Sequence, residues 1–210
     1  MRAPIAAITI LLVCSTGVVA QSRSLRVMAI ELGTDIVTGG VGCGWAGEPF
    51  IGIVERADIL VLGTVTATQS YLSADETGVF TDFVVRAEQV LLQRIALTTT
   101  KPGPAPPFVF KTVGGTVTVA GHRIVQSVSS NGHRVTLKRG DRVVLFGRYD
   151  ASDQKWLFSP TDVFAIDGDI VINDLPPIEP FMATFPPRLS LSDFAARVRD
   201  LAARVRPAVR

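Results

Sequence analysis

The chain has 210 residues, 47% hydrophobic and 19% charged, with 21 basic side chains against 19 acidic ones. So high an apolar fraction excludes a disordered chain, and so near a charge balance gives no general electrostatic pull toward nucleic acid. A chain of this length buries roughly 70% of its extended surface and folds without needing a disulfide or a structural metal.

Arg2 precedes an apolar run over residues 5 to 13, and the stretch closes on Val18-Val19-Ala20. This is the pattern of a secretory signal peptide over residues 1 to 20, with the mature start near Gln21. A run of about nine to twelve apolar residues is too short to cross about 30 Å of hydrocarbon. Cys14, following Leu11-Leu12-Val13, leaves lipidation there as the alternative, although Val13 stands where lipidation sites carry a small residue. No later segment reaches spanning length. The expectation is an exported protein, periplasmic or extracellular, with no transmembrane segment after cleavage.

Loss of the leader removes Cys14 and leaves Cys43 alone, so no internal disulfide can form. An odd cysteine in an oxidising compartment is buried and inert, paired with another molecule, or a reactive thiol. The surrounding Gly39-Gly40-Val41-Gly42-Cys43-Gly44-Trp45 is flexible and marks Cys43 as the candidate thiol. Residues 21 to 56 as a whole read as an irregular lead-in.

From residue 57 the texture changes. Ile59-Leu60-Val61-Leu62-Gly63-Thr64-Val65-Thr66-Ala67-Thr68 is rich in β-branched residues and lacks helical spacing, which predicts a buried strand bent at Gly63. A loop over residues 69 to 78 leads into a second strand over residues 79 to 92, where Phe83, Val85 and Ala87 alternate with Val84, Arg86 and Glu88. The proline-rich residues 101 to 107 cannot sit inside a sheet. Beyond them, Gly114-Gly115 and Asn131-Gly132 each stand between strand-like runs and supply the positive φ angles of tight hairpin turns. Residues 142 to 149 return through a polar turn into residues 155 to 158. Short strands joined by turns without intervening helices predict a mainly β fold, a small antiparallel OB-like β-barrel over residues 57 to 172. A Pro-rich tether over residues 173 to 189 then leads to a helix over residues 190 to 206, capped by Ser190 or Ser192. Its Leu191, Phe194, Val198, Leu201 and Val205 recur at three- and four-residue spacing and face the barrel.

Chemical motifs are sparse. His122 and His133 are the only histidines, and a two-residue turn between them would set them about 26 Å apart, too far for one metal ion. No HExxH or GxSxG motif is present, and the glycines at residues 39 to 44 neither follow a predicted strand nor open a helix. Asp75-Glu76 and Asp167-Gly168-Asp169 read as turn carboxylates, because a calcium loop needs further spaced oxygens. No metal or cofactor is expected. Tyr71, Tyr149 and Trp156 are the candidate ligand-binding residues, offering a stacking surface for a sugar or a base, although core packing is the stronger reading of Trp156.

Four segments carry a resemblance: residues 57 to 65, residues 83 to 91, Gly114-Gly115 and residues 137 to 146. Together they resemble a family of uncharacterised secreted bacterial proteins over roughly residues 57 to 160, and that resemblance implies no activity. The strand order is also similar to the inhibitor barrel of the tissue inhibitors of metalloproteinases and the netrin-like modules, which implies an OB-type fold. Those inhibitors use a mature N-terminal cysteine and several disulfides, whereas Cys43 lies inside the predicted mature chain. The reading is therefore an exported, monomeric, non-enzymatic binding or envelope-associated module, its partner an extracytoplasmic protein or glycan. The alternatives are a metalloprotease inhibitor-like protein and a cysteine hydrolase using Cys43.

Overall fold

The computed structural model describes residues 9–10, 23–41, 50–95, 107–129, 136–172 and 186–205. Cys14, Cys43, His133 and the Asn131-Gly132 turn lie outside these residues, as does most of both proline-rich stretches. The described chain is mainly β, with a C-terminal helix as expected. No helix among the described residues is long and apolar enough to cross a membrane.

Residues 21 to 56, read as irregular, instead carry regular elements. Helix α1 (Leu25–Leu32) opens on Ser24, whose side chain accepts from Val27 N, and closes on Gly33 in the left-handed conformation at φ 59°. Strand β2 (Ile36–Val41) follows and runs parallel to β1 (Thr9–Ile10). Helix α2 is Phe50–Arg56. A short amphipathic helix carries too few turns for its periodicity to stand out beside a glycine cluster, so only packing defines it.

Strand β3 (Ile59–Leu72) runs four residues past Thr68, which shortens the expected loop to residues 73 to 78 before β4 (Val79–Gln93). Their antiparallel ladder shifts register at Leu60/Val61, at Leu62/Gly63 and again at Val65/Ala67. The bend anticipated at Gly63 is thus one of three irregularities that let this long hairpin coil. Strand β5 (Phe108–Val113) pairs with β4. Gly114-Gly115, expected as a hairpin turn, does have positive φ angles of 101° and 141°, but it carries the chain from one sheet into another. Strand β6 (Gly115–Val119) pairs with β7 (His122–Ser129), and Ala120-Gly121, at φ 49° and 85°, makes the real two-residue turn. Alternation reveals which side of a strand is dry but not which edge finds a partner, and that is why the glycine pair was misread. Residues 136 to 138, expected in a returning strand, are not in one.

Strands β1, β2, β7 and β6 form a four-stranded sheet in that order, with β2 and β7 parallel. Edge strand β1 lies within the leader-like residues 1 to 20, so β2, β7 and β6 are the strands of this sheet that a mature start near Gln21 retains. The remaining strands form an eight-stranded sheet. Strand β8 (Arg142–Asp150) pairs antiparallel with β3 and turns into β9 (Lys155–Leu157), which lies parallel to β5. The pairings therefore run in a closed circuit: β3 to β4, β5, β9, β8 and back to β3. After a 3-10 turn at Pro160–Asp162, strands β10 (Val163–Asp167), β11 (Ile170–Ile172) and β12 (Arg188–Ser190) extend from β8. The C-terminal part of the expected tether is thus a strand. Helix α3 (Leu191–Arg204) is capped by Ser190, which accepts from Asp193 N while its hydroxyl donates to the Asp193 carboxylate.

Both faces are buried over residues 59–63 of β3 and residues 143–147 of β8. Ile59, Val61, Val65, Val143 and Leu145 point one way and pack with Phe83, Val85, Phe110, Trp156 and Phe158. Leu60, Leu62, Val144 and Phe146 point the other way and meet Phe50, Phe164, Phe194 and Val198. Phe50 stands edge-on to Phe146 and to Phe164, with centroids 5.9 and 6.1 Å away. Such aromatic contacts add about 0.5–1.5 kcal/mol each beyond the area they bury. Arg94 closes α2 from outside the helix, its Nη1 donating to the carbonyls of Val54, Glu55 and Ala57. A third cluster, Leu25, Ala29, Ile36, Val79 and Ile124, seats α1 on the four-stranded sheet and on the tip of the β3–β4 hairpin.

Gly63 lies where β4 comes closest. A Cβ there would stand 2.5 Å from the Arg86 carbonyl oxygen, whereas at Gly39 it would meet nothing within 4 Å. Gly63→Ala is expected to cost about 1–3 kcal/mol in urea unfolding, because backbone cannot yield as a side-chain tip can. Gly39→Ala should stay within about 0.5 kcal/mol of the parent, and equal effects at the two positions would contradict this account.

Candidate functional site

The pleat that sends Phe83 and Val85 inward turns Phe80 and Asp82 outward, and the register brings Tyr71 opposite Phe80 and Lys111 opposite Asp82. On β9, buried Trp156 separates Lys155 and Leu157, which therefore face the same outer side. The outer face of β3, β4, β5 and β9 thus collects two aromatic rings, two lysines and, from the β8–β9 turn, Asp153.

These groups form one network. Asp82 accepts from the Tyr71 hydroxyl at 3.0 Å and from Lys155 Nζ at 2.6 Å. Lys155 Nζ also lies 3.2 Å from the Tyr71 oxygen and 3.9 Å from Asp153. Lys111 Nζ donates to Asp153 at 2.6 Å and stands 4.3 Å above the Phe80 ring, whose centroid is 6.2 Å from that of Tyr71. A cation over an aromatic face is held by the ring quadrupole as well as by its carboxylate. Desolvation disfavours the charge on Lys155, but the bonds to Asp82 and Tyr71 outweigh it and raise its pKa above the usual value. Lys111 behaves alike, with desolvation offset by Asp153. Burial raises the Tyr71 pKa, Lys155 counteracts, and Asp82 adds to the rise.

Beside Lys111 the face dips into an open cleft of about 380 Å³. Phe80, Val113 and Leu157 supply apolar walls, and Lys111, Arg148 and Ser159 supply polar ones. Asp150 also borders it, and the Ser152 hydroxyl and N–H hold its carboxyl below the usual carboxylate range.

The three aromatic candidates do not converge. Tyr71 belongs to the outer network, but Trp156 is only 3% exposed and packs among Phe108, Phe110 and Tyr149 on the inner side. The pleat forces this division, since Trp156 is opposite both Phe110 and Tyr149. Trp156 is therefore core, and Tyr149 packs on it with ring centroids 5.0 Å apart. Cys43, the thiol candidate, lies outside the described residues. Among the described residues no group of three His, Cys, Asp or Glu side chains could hold a metal ion. Asp82, Lys111 and Lys155 were not singled out from sequence. The outward alternation in β4 was a usable signal for Asp82, but nothing local to residue 155 places it across β5 from residue 82.

No family model matches the chain, and neither curated proteins nor solved structures provide a match.

The raised pKa values of Lys155, Lys111 and Tyr71 share one consequence. Between each group's usual value and its higher folded-state value, the native protein holds more protons than the unfolded chain. The network therefore contributes its full stability at neutral pH and loses it as pH rises above about 10. Asp82→Asn should flatten that alkaline loss. It should also lower the pKa of Tyr71, read by ultraviolet absorbance titration in a Tyr149→Phe background that leaves Tyr71 as the single tyrosine. An unchanged tyrosine titration would contradict the network.

Proposed function

We propose that the protein is an exported, non-enzymatic binding module built on an OB-type barrel, with its ligand held on the outer face over β4, β5 and β9. The leader-like residues 1 to 20 support export. The closed circuit of β3, β4, β5, β9 and β8 supports the barrel reading, since the OB fold is a five-stranded, partly open Greek-key barrel. Such barrels bind oligonucleotides and oligosaccharides across their second and third strands and the loops beside them. The second and third strands of this circuit are β4 and β5.

One observation carries the reading: the Tyr71, Phe80, Asp82, Lys111 and Lys155 network lies on that face and borders the cleft. Cleft volumes for small ligands start at about 300 Å³, with mostly apolar walls and a few placed polar groups. The chemistry there suits holding better than turning over. Lys111 and Lys155 are fixed in their protonated forms at neutral pH, so neither is a base that could take a proton from a substrate. Two carboxylates offset the two lysines, which favours a ligand of low charge, such as a glycan or a peptide, over a polyanion.

Two measurements test this. Intact mass of the secreted protein should give a mature start near Gln21; a start at Cys43 would favour the inhibitor-like alternative. Two-dimensional NMR of the mature protein against a panel of oligosaccharides, short peptides and amphiphiles should place the shifted amides around Phe80, Lys111 and Leu157, with Phe80→Ala weakening binding about tenfold. Shifts confined to another surface, the absence of any saturable shift, or conversion of the ligand would overturn the proposal.

A further inference from the structure

The cations near the cleft are not equivalent. Lys111 is bound to Asp153, Lys155 to Asp82, and, farther round β8, Arg142 to Glu88. Arg148, which lines the cleft itself, is exposed and has no hydrogen bond or ion pair to any described residue. Its position follows from the pleat. Gly147 and Tyr149 turn toward the packed interior, so Arg148 turns out, directly opposite Leu157 of β9. A free guanidinium is a planar fork of donors that matches a carboxylate or a phosphate through two parallel hydrogen bonds.

Apart from the hydroxyl of mostly buried Thr112, the rest of the cleft is apolar where it is not already paired. Val113 is 46% exposed at the end of β5, and Phe80 and Leu157 complete the wall. An unpaired cation beside exposed apolar side chains is complementary to a ligand with one anionic end and an apolar body. Asp150 limits how much negative charge can enter. Asp150 and Asp153 balance Arg148 and Lys111 at the rim, so one carboxylate is favoured over a phosphate cluster or a polyanion.

We propose that this cleft binds an amphiphilic monocarboxylate, its carboxylate on Arg148 and its apolar chain over Phe80, Val113 and Leu157. The proposal rests on the reading of this face as a binding face and names the ligand class that the face takes.

Decanoate, kept below its micelle concentration, is the probe, with decanol and acetate as partners that each lack half of the chemistry. Calorimetry on the mature protein should show saturable decanoate binding. Decanol should bind about tenfold more weakly, having lost the charge-assisted pair, and acetate should not saturate. Arg148→Gln should reduce decanoate affinity about tenfold or more and leave decanol unchanged. Lys138→Gln, which removes an exposed cation away from the cleft, should leave both unchanged. Amide shifts should centre on Phe80, Val113 and Leu157. Equal binding of decanoate and decanol, Arg148→Gln binding decanoate as tightly as the parent, or shifts away from those residues would overturn the inference. If decanoate fails while a glycan or peptide still shifts Phe80 and Lys111, the ligand class falls and the binding-module reading stands. If nothing binds at this face, both fall.

Discussion

The structure depends on the paired segments 59–63 of β3 and 143–147 of β8 being dry on both faces. A strand in most antiparallel sheets buries one face and wets the other. Here Leu60 and Leu62 pair across the ladder with Phe146 and Val144 beneath the helices, while Ile59 and Val61 pair with Gly147 and Leu145 in the interior of the strand circuit. Two cores thus share one pair of strands. A one-residue slip between β3 and β8 would move both sets to the wrong side at once, so each core fixes the register for the other. Glycine is required where packed side chains of the inner core crowd against β8. A Cβ on Gly147 would stand 2.9 Å from the Phe110 ring and 3.1 Å from Ile59.

The same arrangement creates the candidate binding face. Because the inner core fills with Phe83, Phe110 and Trp156, the residues between and beside them in the pleat must point outward: Asp82, Lys111, Lys155 and Leu157. Strand β9 is only Lys155–Leu157, yet it joins β5 to β8 and so sets Lys155 within reach of Asp82 and Arg148 opposite Leu157. The lysines find carboxylates on the face and are neutralised there, whereas Arg148 sits one strand further round and does not. That difference in pairing gives the cleft a definite polarity: a structural network at one end and an unsatisfied cation at the other.

The N-terminal region is tied to this body at the far end of the long hairpin. Glu76, in the β3–β4 turn, accepts from the Ser24 hydroxyl at 2.7 Å and from Arg26 at 2.5 Å, and Leu25 N donates to its carbonyl. Gln126 of β7 accepts from Val79 N, and Thr81 donates to the carbonyl of Gly114 where the chain leaves β5 for β6. The four-stranded sheet is therefore held to the larger one at one hairpin end, mainly by side-chain hydrogen bonds and the third apolar cluster, and among the described residues no ladder joins the two sheets.

What was legible in the sequence was local. β-branched runs and period-two alternation located β3, β4, β5, β8 and β9, and three- and four-residue spacing behind Ser190 located α3, because these patterns follow from how a strand or helix meets an apolar interior. Tyr71, Tyr149 and Trp156 were grouped on their chemistry alone, and the pleat separates them, with Tyr71 outward and Trp156 inward, as its core reading had it. The long-range partners were settled by the tertiary structure alone: β7 lying parallel to β2, the chain crossing between sheets at Gly114-Gly115, and β9 closing the circuit from β8 to β5. Hydrophobic period reports which side of an element is dry, whereas edge pairing is decided by which distant strands can be joined while every buried N–H and C=O still finds a partner.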